Sequence, residues 1–245
     1  MNTPIEHLAN RTVGEVVAED YRLGTVFKQH GIDFCCGGGI SVAAACEKKG
    51  VNIKELEREL ATARDGRGGG PAAGAVKWDL DFLADYIVNN HHRYVRESLP
   101  ALEAFGTKVA HVHGHARPEL EDISEKLSEL AEEMRQHMEK EERILFPFVK
   151  QLVNAQRTQS GRPVAPFGTV ENPIGVMEDE HERVGELMAE IRSLSDEFQP
   201  PEWACNTYRA LFAKLAEFEE DLHWHVHLEN NVLFPRTLAL ERAEV

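Results

Sequence analysis

The chain has 245 residues, 42% of them apolar, and a formal net charge of −15. That length allows one large or two small domains with a sizeable core. The acidity, with no standing basic patch to neutralise phosphates, argues against a nucleic-acid or anionic-membrane surface.

The N-terminal run MNTPIEHLANRTVGEVV lacks a basic stretch followed by an apolar one, so no signal peptide is expected. No run of about 18 apolar residues would span a membrane. Two of the four cysteines, Cys35 and Cys36, are adjacent. This is no disulfide framework, and it fits a reducing, cytoplasmic compartment.

In chain order, TVGEVVAED and YRLGTVFKQH are short amphipathic runs, and GIDFCCGGGI reads as a loop. Ser41 is an N-cap for VAAACEKKG, which ends at Gly50, and Asn52 caps IKELERELATAR. A unit this short buries little alone, so contacts with the rest of the chain, or with a second copy in a homodimer, are expected. DGRGGGPAAGAV, residues 65–76, is a flexible Gly-rich linker dividing residues 1–64 from 77–245.

Four long helical periodicities follow, at about 79–99, 118–153, 172–198 and 201–240. Pro118 suits the first turn of the second, and Pro200 and Pro201 lead into the fourth. The fold class is all-α, an antiparallel four-helix bundle preceded by a small helical domain.

The apolar stripes carry polar residues. The first aligns Val88, His92, Val95 and Leu99. The second aligns Leu130, Met134, His137, Glu141, Ile144 and Phe148. The third aligns Ile174, Met177, His181, Val184, Met188 and Ile191. The fourth aligns Leu211, Leu215, Phe218, Leu222, His225, Glu229 and Val232. HMEKEERILFP from His137 recurs 88 residues later as HVHLENNVLFP. Residues four apart share a helix face, so each His and its Glu can reach one point. Two buried carboxylates need a cation. No Lys or Arg lies on the stripes, which leaves a metal. One histidine on such a stripe is more often a core residue than a ligand. Four of them with two glutamates at a common offset are not independent accidents.

Four His and two Glu exceed a single four-coordinate zinc and suit two ions bridged by the carboxylates. The imidazole share suits iron, although zinc could compete in vitro. His91 lies about 100° round the helix from His92 and should face away. His111, His113 and His115 cluster at the junction between the first and second helices, and any of them could add a ligand or form a solvated turn. Glu139, Glu142, Glu178, Glu180 and Glu182 lie off the stripes on solvated faces, where some could orient a ligand imidazole. Leu-Phe-Pro should pack and then bend or end its helix.

Cys35 and Cys36 precede the helix capped by Ser41, a position that favours a thiolate. They read either as small buried turn residues, with Gly37, Gly38 and Gly39 as backbone requirements, or as thiols for redox, metal or nitrosyl chemistry. Cys46 and Cys205 read as packing residues.

The segments DFCCGG, NHHRYVRESLP, HMEKEERILFP, EDEHERVGEL and HVHLENNVLFP together resemble the iron–sulfur cluster repair di-iron proteins (Repair of Iron Centres). These combine a small Cys-Cys domain with a hemerythrin-like bundle, and the resemblance covers nearly the whole chain. It implies two non-haem iron ions, bridged by carboxylates and an oxo group or open position. The implied ligands are His92, His137, Glu141, His181, His225 and Glu229. It also points to His113 as a further ligand. Gly185 stands where an oxygen carrier would place a second histidine after His181, and His113 could fill that vacancy.

The implied function is a stress response: repair of iron–sulfur proteins damaged by nitric oxide or peroxide, through iron donation rather than enzymatic turnover. The Cys35/Cys36 unit would receive or pass nitrosyl or iron, or dock a partner. Two alternatives use the same ligands: a nitric oxide reductase with an external reductant, and an oxygen or nitric oxide carrier or sensor. A purely structural bundle leaves the buried histidines and carboxylates unexplained.

Overall fold

The computed structural model describes residues 5–65 and 74–243, so most of the expected linker lies outside the described residues. The described residues are all-α apart from one isolated bridge between Thr12 and Ser41. They form two compact units. One takes in Met1–Leu83 with His223–Glu244, the other Ala84–Leu222.

The first unit opens with α1 (Val13–Glu19) and α2 (Leu23–Gln29), followed by α3 (Val42–Lys49) and α4 (Ile53–Asp65). Thr12 caps α1 in a reciprocal box. Its hydroxyl accepts from the Glu15 N–H, and the Glu15 carboxylate accepts from the Thr12 N–H. Ser41 caps α3 as the sequence predicts, and Gly50 ends it with φ of 68°. Leu23 and Phe27 of α2 and Leu56 and Leu60 of α4 are buried in the core of this unit.

The C-terminal segment, counted with the bundle on sequence grounds, clusters with this unit. The reason is aromatic packing. Trp224 lies 5.1 Å from Phe34 and 5.3 Å from Tyr21 between ring centroids, and His227 lies 5.7 Å from Phe34. Gly14 is required here, because a Cβ would fall 1.9 Å from the Asn231 Oδ1.

The second unit carries the end of α5 (Leu80–Ile87), α6 (Arg93–His113), α7 (Glu119–Lys140), α8 (Phe146–Thr158), α9 (Glu171–Leu194) and most of α10 (Asn206–Leu228). α6 packs along α7, and α7 along α9. The chain closes with α11 (Phe234–Arg242).

Three of the long helices contain a single wider turn: π1 (Val88–His92), π2 (Glu141–Leu145) and π3 (Glu229–Leu233). Sequence periodicity reads all three as ordinary helix. Each π turn shows a bond reaching five residues back, to the carbonyls of Val88, Glu141 and Glu229 respectively. The extra residue moves the apolar stripe. Ile144 is 48% exposed while Leu145 is buried, and Ile87, not Val88, is fully buried ahead of His92.

Leu-Phe-Pro therefore does not end its helices. π2 and π3 each stop just before Phe-Pro, and Pro147 and Pro235 fall in the first turn of α8 and α11, where their missing N–H is tolerated. α6 also runs past Pro100 to His113, well beyond the expected end. α10 starts at Asn206 rather than at the proline pair.

Between α9 and α10, Asp196, Glu197 and Phe198 all have positive φ, between 52° and 61°. Such a run costs about 1–2 kcal/mol per residue. It is held by the Ser195 hydroxyl, which accepts from the Phe198 N–H at 3.2 Å, and by the Arg192 guanidinium, 4.7 Å above the Phe198 ring. Arg192 also forks onto the buried Glu219 carboxylate.

Candidate metal centre

The π turns lie where the polar stripe residues are. His92 is the last residue of π1, Glu141 the first of π2 and Glu229 the first of π3. π turns inside α-helices are frequently found at functional sites. His137 stands one turn before Glu141 on α7, His225 one turn before Glu229 on α10, and His181 at mid-α9.

All six side chains are buried, with 0–2% of each residue exposed. The Glu141 Oε2 lies 3.2 Å from the His92 Nε2 and 3.3 Å from the His137 Nε2. The His225 Nε2 is 3.0 Å from the Glu229 Oε1, and the His181 Nε2 is 3.0 Å from the His137 Nε2.

The outer nitrogens fix the tautomers. The His92 Nδ1 donates to the Glu142 Oε1 at 2.6 Å, and the His137 Nδ1 donates to the Glu180 Oε2 at 3.0 Å. The Nε2 lone pairs of both rings are then directed inward. Burial pushes the Glu142 carboxyl up, but hydrogen bonds from His92 and Arg96 outweigh it and hold the group below the usual carboxylate range. Glu180 follows the same pattern, with His137 and Lys140 outweighing burial. Both therefore stay ionised at neutral pH and accept from imidazole. Two of the glutamates expected on solvated faces, where some could orient an imidazole, thus bond to candidate ligand histidines.

The donor chemistry fits a cation. His92, Glu141, His225 and Glu229 offer ligand atoms all within 4.8 Å of one another, and so do His137, Glu141, His181 and Glu229. Each group has two imidazoles and two carboxylates, and both groups contain Glu141 and Glu229. An approach of 3.0 Å between two imidazole Nε2 atoms needs a proton or a cation between them. N/O sets of this kind suit iron or zinc. Phe146 stacks on His92 with centroids 5.7 Å apart, so the Phe of the first Leu-Phe-Pro packs directly on a candidate ligand.

The structure does not bring His113 to this cluster. His113 ends α6 with its ring against Trp203 and Tyr208, both with centroids at 5.7 Å, and its Nε2 lies 3.4 Å from the Cys205 Sγ. Helix α6 continues far enough past His92 to carry His113 elsewhere. His111 and His115 are exposed. His91, expected to face away, is 8% exposed and bonds through Nδ1 to the Asp221 Oδ1 at 2.9 Å. Cys205, expected to pack, is exposed, whereas Cys46 is buried.

Cys35 and Cys36 are free thiols, the first buried and the second exposed. With Asp33 they form a third group whose ligand atoms lie within 4.8 Å. The expected thiolate is not found at Cys35. A hydrogen bond with Cys36, burial and the charge of Asp33 push its thiol well above the ordinary value. The Cys35 Sγ donates to the Asp33 Oδ1 at 3.0 Å, and Asp33 also accepts the N–H groups of Cys35 and Gly37, both at 2.8 Å. Of the three glycines that follow, Gly38 has the clearest need to be glycine, because a Cβ there would meet the Phe34 carbonyl oxygen at 2.6 Å.

Sequence reasoning missed His227 and Asn231. The His227 Nδ1 donates to the Phe34 carbonyl at 3.2 Å. Burial lowers its pKa to about 4, against the partial opposition of that bond. The Asn231 Nδ2 donates to the Cys35 carbonyl at 3.0 Å. The signal was present in HVHLENN, where a second histidine and an asparagine sit two residues from the stripe pair.

Comparison with known proteins agrees with this geometry. Residues 83–237 match the hemerythrin HHE cation binding domain, and residues 9–64 match a domain of unknown function, DUF542. The chain is 36% identical over 232 residues to the iron–sulfur cluster repair protein YtfE of Yersinia pestis (strain Pestoides F), covering 94% of this chain and 97% of that one. It has the same identity and coverage with the YtfE of Yersinia pseudotuberculosis serotype O:1b (strain IP 31758).

Proposed function

The chain belongs to the hemerythrin-like iron–sulfur cluster repair family, and from that premise we propose that it restores damaged iron–sulfur clusters by supplying iron from a two-iron centre. The observation that carries this reading is the sharing of Glu141 and Glu229 by both four-residue groups. One ion would take His92 and His225, the other His137 and His181, with the two carboxylates bridging.

Bound there, the irons would supply redox chemistry and a transferable metal. The protein's own part is to hold the donors in place. Glu142 and Glu180 keep His92 and His137 in the tautomer that turns Nε2 inward. The apolar stripes around the six side chains exclude water. The targets would be proteins whose clusters nitric oxide or peroxide has damaged. The Cys35–Cys36 turn would serve as their docking or hand-over point.

The test is metal analysis of anaerobically purified protein, coupled to repair of a nitric-oxide-treated [4Fe–4S] dehydratase. Two irons per chain in the native protein, and loss of both iron and repair in His225→Leu, are expected. One zinc per chain that is unaffected by His225→Leu would refute the proposal.

A further inference from the structure

A solvent-reachable cavity of about 290 Å³ is lined by Arg96, Arg135, Met138, Glu139, Glu142 and Arg143. Three guanidiniums converge here in a chain of net charge −15. Each already has a carboxylate partner: Arg96 pairs with Glu142 at 2.6 Å, Arg135 with Glu103, and Arg143 with Glu139. A guanidinium carries five N–H donors, so one carboxylate does not saturate it. The Arg143 and Glu139 side chains are 74% and 60% exposed, and such surface pairs exchange readily.

A halide cannot span several guanidinium forks, whereas an anion with two or more charged oxygens can. We propose that this cavity binds a small multivalent oxyanion, a polycarboxylate or a phosphate, and that its occupancy is felt at His92. The link is a single atom. The Glu142 Oε1 accepts from the Arg96 Nη2 and from the His92 Nδ1, both at 2.6 Å. An anion that draws Arg96 away leaves that oxygen to His92 alone, which makes the His92 Nε2 a stronger donor to a cation. The added negative charge acts in the same sense. An occupied cavity therefore retains metal, and an empty one lets it go. This coupling rests on the iron reading, but the anion site itself does not.

The site is tested on the iron-free full chain by titration calorimetry with inorganic phosphate and with citrate, against sodium chloride at matched ionic strength. One saturable event per chain is expected, weakened at least tenfold in Arg135→Gln/Arg143→Gln while the melting curve stays native-like. Heats reproduced by sodium chloride, or unchanged in the double variant, overturn the site. The coupling is tested by iron release from the loaded chain to 2,2′-bipyridine, a neutral chelator. Phosphate should slow release severalfold in the native chain and not in the double variant. Equal rates overturn the coupling. A chain that binds phosphate but takes up no iron overturns the iron reading and leaves the anion site standing.

Discussion

Asn231 donates its amide N–H to the carbonyl oxygen of Cys35 at 3.0 Å, tying the cysteine turn to a residue two places beyond Glu229. The same nitrogen lies 3.3 Å from the Phe34 carbonyl. Asn231→Ala should leave the Cys35 carbonyl without that donor, at a cost of about 1–3 kcal/mol. Thermal melting would show the loss, and hydrogen exchange would show it concentrated at Gly37 and Gly38. An unchanged melting temperature with unchanged exchange would mean the tie carries no stability.

Buried carboxylates that exist for a metal should burden the chain without it. Glu229→Met is expected to abolish metal loading and to stabilise the metal-free protein, by an amount on the order of 1–4 kcal/mol. Metal analysis and melting of the stripped protein check the two halves separately. A destabilised metal-free variant would show that Glu229 holds the fold together.

Glu142 and Glu180 act through the imidazoles they touch. Glu142→Gln and Glu180→Gln should each weaken metal affinity by roughly 10–100-fold, the usual penalty for losing such a partner. Competition with a chelator of known affinity measures this. Glu139→Gln, whose carboxylate pairs with Arg143, should leave affinity unchanged in buffer without phosphate or polycarboxylate.

The Cys35 thiol, pushed up in the folded state, makes stability depend on pH. Above the unfolded thiol value of about 8.5, the unfolded chain binds fewer protons than the folded one. Stability therefore falls as pH rises, by about 1.4 kcal/mol per unit at full effect. Denaturant midpoints between pH 8 and 10 should decline in the native chain and flatten in Cys35→Ala. Parallel curves would refute the assignment.

Asp196→Gly should relieve part of the positive-φ run at Asp196–Phe198, raising stability by about 1 kcal/mol. Glu197 is the poorer target because it also pairs with Arg192. A lowered melting temperature would show that the Asp196 side chain contributes more than the strain costs.

The six-residue cluster was legible because periodicity and charge pointed the same way. His137 with Glu141, and His225 with Glu229, lay on stripes that had no other charge. The π turns were not legible, since 3.6-residue periodicity tolerates a slip of one position. Ile144 was assigned inward for that reason and is exposed. Pro147 and Pro235 were the available clue, read as a bend or an end of the helix when they mark a change of helical register. Helix angle puts Glu142 and Glu180 on solvated faces and leaves open which of the flanking glutamates would orient an imidazole. A partly exposed carboxylate can still reach inward to an imidazole on a neighbouring helix. His113 shows the limit of a local histidine cluster: the continuation of α6 past Pro100 carries it to Trp203 and Cys205.

Each π turn is one residue of surplus chain, and that surplus has a consequence for how such helices can change. Deleting one residue between Glu142 and Leu145 would let the turn relax to regular helix, and the helix beyond it would keep its facing, because the wide turn already absorbs the extra residue. Glu141 would lose the wide turn it opens, and Pro147 would fall inside regular helix, where its ring clashes with the carbonyl four residues back. Length at three positions is therefore as heritable a requirement as the identity of the histidines. A descendant that lost a single codon there could keep every ligand in its sequence and still lose the site.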